Sequence, residues 1–189
     1  MPEIFFVRHG ESEFNKTHLL GHKLNTSLTE KGKIQAHNLA TELYDIKFSH
    51  VFSSPFNRAK ETAEIIIKEE NKIEILDDLK EVKYGERDGT FRPDNIDPYI
   101  YGFESPTRET DESIFSRVKK ILEKISKLDG KILLICHGMI ACAFICYITN
   151  NKFTLDNINK FKLDNAHFNY YNVDKKILKL NQNKIRDLN

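Results

Sequence analysis

The chain has 189 residues, of which 29 are basic, 28 acidic, 40% hydrophobic and 30% charged. That length holds one domain with a packed core, and the charge balance excludes a general nucleic-acid binder, which carries a clear basic excess. No apolar run approaches the ~20 residues that span a membrane, Arg8 and His9 interrupt any signal-like N-terminus, and three cysteines make no disulfide framework. The expectation is a soluble, cytoplasmic, single-domain protein over residues 1–189.

Ile4-Phe5-Phe6-Val7 is a continuous apolar run that predicts a strand buried on both faces. It stops at Arg8-His9-Gly10-Glu11-Ser12. Thr29 is a candidate N-cap for a helix over 29–44, with Ile34, Leu39 and Leu43 at helical spacing. His50–Ser53 predicts a second strand. A helix extends from about Phe56 to Glu70, with Ala59, Ala63, Ile66 and Ile67 on one face. Ile73–Leu76 predicts a third strand. Residues 84–110 read as irregular, rich in Gly and Pro; segments of that length in a compact domain are commonly lids or binding loops. Ser113–Leu128 predicts an amphipathic helix. Lys131–Cys136 is the most apolar strand, and it ends in His137-Gly138. Met139–Thr149 predicts a buried helix, and Asn165–Leu180 two strands around a turn near Asp174. Alternating strands and helices imply an α/β class, a three-layer α/β/α sandwich on a mostly parallel sheet.

Two strands that end in His-Gly are the chemical signal. Ligands of open α/β sheets bind outside the carboxyl ends of the strands. If the two strands are parallel neighbours, His9 and His137 share one crevice, and the glycines allow backbone to approach a ligand. A metal site on the cysteines is set aside. Cys136 alternates away from His137 on its strand, and no Cys-x-x-Cys pair exists. His18 and His22 are four apart but straddle Gly21, which speaks for a loop, so they carry no metal role.

Five ordered segments carry a family resemblance. Arg8-His9-Gly10-Glu11-Ser12-Glu13-Phe14-Asn15 resembles the signature of the histidine phosphatase superfamily, which contains the cofactor-dependent phosphoglycerate mutases. Gly21 with Ser27-Leu28-Thr29-Glu30-Lys31-Gly32 and Gln35-Ala36 is similar to a second element. Ser53 through Ala63, with Arg58-Ala59 and Thr62-Ala63, is similar to a third. Leu79-Lys80-Glu81, with Gly85 and Gly89 behind it, resembles the segment bearing the proton donor. Cys136-His137-Gly138 resembles the second histidine motif.

The resemblance implies a phosphoglycerate mutase-like fold, with residues 84–112 as a lid that sets specificity. It implies a phosphatase of small phosphorylated metabolites that needs neither metal nor cofactor, binds no nucleic acid and joins no membrane. His9 is then the nucleophile, Glu81 the acid and base, and His137 a donor to the transferring phosphoryl group. Arg8 and Arg58 offer bidentate forks to phosphate, and their charge favours the neutral, nucleophilic imidazole at His9. Asn15 and Gly21 are carried over as phosphate or substrate contacts. Glu86 competes with Glu81 for the acid role.

Mutases and phosphatases share this catalytic set. The short chain favours the small-molecule phosphatase branch. Tyr84 and Arg92 point the other way, because the mutase branch carries a tyrosine and a lysine at those offsets after the acid, contacting the substrate carboxylate. A phosphohistidine-protein phosphatase and a phosphate-binding module with weak activity are the remaining alternatives. Thr110-Asp111-Glu112-Ser113 and Asn25 depart from the family pattern and bear on the lid and rim.

Overall fold

The computed structural model describes residues 2–21, 25–68 and 72–182. In chain order the elements are β1 (Glu3–Arg8), α1 (Glu13–Thr17), α2 (Glu30–Glu42), β2 (His50–Ser53), α3 (Asn57–Ile67), β3 (Ile73–Ile75), α4 (Pro98–Phe103), α5 (Asp111–Ile125), β4 (Lys131–Cys136), α6 (Gly138–Ile148), α7 (Leu155–Lys160), β5 (Phe168–Asn172) and β6 (Ile177–Gln182). Short 3-10 turns stand at Asp77–Leu79 and Gly85–Arg87. No described helix is long and apolar enough to cross a membrane.

One six-stranded sheet runs in the order β3-β2-β4-β1-β5-β6. Neighbours among β3, β2, β4 and β1 pair in parallel, and β5 is antiparallel to both β1 and β6. The apolar runs of β1 and β4 are continuous because both faces of the sheet are covered. Ile4, Phe6, Ile132 and Leu134 face α5 and α6, whereas Phe5, Val7, Leu133 and Ile135 face α2 and α3. This is the expected three-layer sandwich. Phe6 meets Phe144 of α6 at 4.7 Å between ring centroids, and Phe5 meets Phe168 at 5.5 Å.

Thr29 caps α2 as its position predicts, accepting from Gly32 N at 3.0 Å. The helix buries Gly32, Ala36, Leu39 and, just past its end, Leu43, and leaves Ile34 61% exposed. Ile34 therefore lies off the core face, a correction to its place in the apolar stripe. The inward row is Gly32-Ala36-Leu39-Leu43, and its small residues let α2 approach closely. A Cβ on Gly10 would lie 2.4 Å from Gly32 O, and one on Gly32 would lie 1.9 Å from Glu11 O. The loop that carries His9 thus sits directly on the first turn of α2. The end assigned to α3, Glu69 and Glu70, lies outside the described residues, as does His22.

Residues 84–110 are less irregular than their composition predicts. Asp97 caps α4, its side chain accepting from Tyr99 N at 2.8 Å, and Pro98 takes the first position of the helix. The two sequence departures at the rim also serve helix N-termini. Thr110 accepts from Ser113 N at the start of α5. Asn25 accepts from Asn57 N and donates to Asn57 Oδ1 at the start of α3.

Candidate active site

Three adjacent parallel strands end within one residue of each other. Arg8 pairs with Cys136, so His9 and His137 emerge side by side at the carboxyl end of the sheet, and Ser53 pairs with Ile135, so Ser54 lies one residue lower, level with Cys136. The rings of His9 and His137 have centroids 5.0 Å apart. A cavity of about 70 Å³ opens beside His9. Arg8, Arg58, Glu81, Ser12 and Asn15 form its polar wall, and the rest is largely apolar and aromatic.

His9 is buried, and its two nitrogens have separate tasks. Nδ1 lies 2.7 Å from Gly10 O, which can only accept, so Nδ1 carries the proton. Nε2 accepts from Arg58 Nε at 3.2 Å. Burial first, then the charges of Arg58 and Arg8, hold its pKa well below the usual imidazole value. The imidazole is therefore neutral, with its Nε2 lone pair turned toward the arginine.

Linkage gives this a consequence for stability. In the unfolded chain the imidazole takes up a proton below about pH 6.5; in the fold it does not until lower pH. The unfolded state then binds more protons, so stability falls as pH drops below that value, by up to about 1.4 kcal/mol per pH unit. Chemical denaturation from pH 7.5 to 5 is expected to show a steeper decline for the wild-type protein than for His9→Ala. Parallel profiles would refute the assignment.

The arginines are held by carbonyls and keep donors to spare. Arg8 Nη1 donates to Leu163 O at 2.8 Å and to the Tyr99 hydroxyl at 3.2 Å. Arg58 Nη2 donates to Gly21 O at 2.9 Å, and its guanidinium lies over Phe56 at 4.8 Å and Phe14 at 5.8 Å. Burial pulls the pKa of Arg58 down to about 10, so it remains charged at neutral pH. Arg8 Nε and Arg58 Nη1 are buried N–H donors with no acceptor in the described protein. An acceptor-rich anion would satisfy both.

Glu81 sits at the N-terminus of α6. Its Oε1 accepts from Val82 N at 2.9 Å and Ile140 N at 3.1 Å, and Oε2 accepts from Met139 N at 3.2 Å. Helix N-termini attract negative charge, which fixes the carboxylate in place. Tyr84 hydrogen-bonds Glu81 through its hydroxyl, and burial, aided by the carboxylate, pushes the phenol pKa well up. Tyr84 is thus a permanent donor. Glu86 is exposed and does not line the cavity.

His137 is fully buried behind His9 and does not line the cavity itself. Its Nε2 is 2.8 Å from Ser54 Oγ, and Phe56 packs edge-on at 5.4 Å. Asn15 stands at the rim, where its Oδ1 accepts from Ser12 N at 3.0 Å and Asn165 Nδ2 at 3.3 Å. Gly21 lines the cavity and supplies a carbonyl to Arg58. Arg92 is placed elsewhere. Its guanidinium meets His18 Nδ1 at 2.8 Å and donates to the carbonyl of Ile96, away from the cavity lining.

Sequence reasoning named Ser54 within a motif but gave it no role, and did not single out Tyr99 or Asn165. Ser54 comes directly after a strand as the two histidines do, which is a usable signal. Tyr99 is visible only in three dimensions: its hydroxyl donates to Leu163 O at 3.1 Å and accepts from Arg8. A Cβ on Gly138 would lie 2.3 Å from that hydroxyl, so α4 closes on α6 only because position 138 is glycine. The three cysteines are buried thiols; burial pushes the pKa of Cys146 up to about 11 and those of Cys136 and Cys142 further.

The chain is 29% identical over 198 aligned positions to phosphoserine phosphatase 1 of Hydrogenobacter thermophilus, covering 96% of this chain and 92% of that protein. It is 31% identical over 159 positions to the uncharacterized phosphatase PhoE of Bacillus subtilis, covering 79% and 78%. The crystal structure of the α-ribazole phosphatase from Shigella flexneri superposes with a TM-score of 0.80 at 22% identity, over 97% of this chain and 98% of that one, and shows the shared fold. The family model of the histidine phosphatase superfamily (branch 1) matches residues 4–183. With that match across nearly the whole chain, the protein belongs to the histidine phosphatase superfamily and is an enzyme of the phosphatase type.

Proposed function

We propose that the chain hydrolyses a small phosphorylated metabolite through a phosphohistidine on His9, with Glu81 as proton donor. The observation that carries this reading is the pair of buried donors without acceptors, Arg8 Nε and Arg58 Nη1, beside a neutral imidazole. Phosphoryl transfer is catalysed mainly by positioning and charge stabilisation. The two arginines grip the phosphate oxygens, and Arg58 Nε turns from Nε2 to an oxygen of the substrate. Nε2 attacks phosphorus in line. The bond from phosphorus to the leaving oxygen breaks, and that oxygen takes the proton of Glu81. Ionised Glu81 then takes a proton from water, whose oxygen attacks phosphorus. The P–N bond breaks, releasing phosphate and restoring neutral His9. Gly10 O holds the Nδ1 proton throughout. His137, held behind the ring of His9 in the empty cavity, is the second histidine this reading assigns as a donor to the phosphoryl group.

A mutase reading draws on Tyr84 and Arg92. Tyr84 does line the cavity, but Arg92 is tied to His18 and loop carbonyls, which favours the phosphatase. The test is acid-quench trapping with a 32P-labelled ester in the presence of chelator. Acid-labile, alkali-stable label is expected on the peptide that contains His9. Turnover without such label, or turnover that chelator abolishes, would sink the proposal.

A further inference from the structure

We infer that the enzyme takes phosphate esters of neutral apolar or aromatic alcohols in preference to esters that carry a second anionic group. The inference rests on the proposed function and names the substrate class of the same cavity.

The wall beyond the phosphate grip is built from Phe14, Leu19, Leu20, Tyr84, Tyr99 and Met139. The hydroxyls of the two tyrosines are already engaged, Tyr84 with Glu81 and Tyr99 with Leu163 O and Arg8, so the surfaces they have left to offer are ring faces. Among the described residues, the only cationic side chains lining the cavity are Arg8 and Arg58, and both belong to the phosphate. The arginines of residues 84–112 are committed elsewhere. Arg87 donates to Tyr101 O and stacks on that ring at 4.4 Å. Arg92 is held by His18, and Arg108 pairs with Asp111 at 2.7 Å. Lys162, which lies over the Tyr99 ring at 5.7 Å, pairs with Asp97 at 2.7 Å. A second carboxylate or phosphate on the substrate would lose its hydration against apolar walls and face Glu81, with no uncommitted cation lining the cavity among the described residues. An apolar or aromatic alcohol gains by burial on the same walls.

The experiment compares benzyl phosphate with 3-phosphoglycerate and phosphoserine, all with alkyl leaving oxygens. At least a tenfold higher kcat/KM is expected for benzyl phosphate on the wild-type enzyme. Leu19→Lys, at a half-buried position of the cavity wall, is expected to shrink that ratio at least tenfold by offering a cation. Direct binding of benzylphosphonate against 3-phosphoglycerate reads the preference without chemistry. Equal or reversed ratios in turnover and binding overturn the inference, and a His9 phosphoenzyme trapped in the same runs shows that the proposed function survives. Absence of any phosphoenzyme with active substrates overturns the function itself.

Discussion

His9→Ala is expected to lower kcat by at least about 10⁴-fold while leaving the protein folded. The imidazole is the one nucleophile in the cavity whose lone pair is held toward the arginines, because its other nitrogen is locked on Gly10 O at 2.7 Å. Alanine removes the atom that accepts the phosphoryl group, so no covalent intermediate forms. Arg8 and Arg58 remain, and the variant is expected to bind inorganic phosphate or a substrate with at most a tenfold loss. Isothermal titration separates binding from chemistry, and single-turnover assays measure the residual rate. A variant that retains a tenth of wild-type kcat would exclude His9 as the nucleophile. A variant that has lost both binding and cooperative unfolding would show instead that the imidazole is needed for the fold, and His9→Asn then becomes the decisive substitution.

Glu81→Gln is the second large effect. Proton transfer by a positioned carboxyl contributes about 10²–10⁴-fold, so kcat for an alkyl phosphate is expected to fall by roughly 10³. The loss depends on the leaving group. A nitrophenolate departs without a proton, so the first step with p-nitrophenyl phosphate is far less impaired. Hydrolysis of the intermediate still lacks its base, and the phosphoenzyme is expected to accumulate as a burst. The burst is the discriminating sign. Equal losses on alkyl and aryl esters, with no burst, would make Glu81 a holder of α6 and not a proton carrier. Both roles are physically open to it, since its carboxylate accepts from Val82 N, Met139 N and Ile140 N. The amide of glutamine turns an N–H toward those donors, and a modest drop in Tm is expected alongside the kinetic loss.

Much of this arrangement is legible in the chain. Strands buried on both faces are continuous apolar runs, so Ile4–Val7 and Lys131–Cys136 declare themselves, and the residue after each must lie at the carboxyl edge. The helices α2, α3 and α5 each carry several turns of periodic pattern, and α6 is an unbroken apolar run long enough to read as a buried helix. Helices of five or six residues carry too little, and α1, α4 and α7 are invisible in the sequence for that reason. The site divides in the same way. Arg8, His9, Arg58 and Glu81 belong to short ordered motifs and meet at one cavity. Tyr99 and Leu163 meet Arg8 from 91 and 155 residues away, and no local pattern encodes such contacts. Arg92 shows the limit of spacing as a guide. Its distance in sequence from Glu81 says nothing of His18, which takes up its guanidinium. Ile34 makes the point for packing: a helical stripe can be drawn through it, yet the close approach of Gly32 to residues 10 and 11 sets a different face inward.

The depressed pKa of Arg58 has a thermodynamic meaning for the resting enzyme. A guanidinium pulled down to about 10, mainly by burial and further by the neighbouring Arg8, is a charge kept where the protein alone cannot solvate it well. The displacement corresponds to roughly 3 kcal/mol against the folded, empty state. A dianion that enters between the arginines supplies the missing solvation at once. The charge that burial makes costly in the empty pocket is thus the one a phosphate dianion relieves, and part of that cost is recovered on binding.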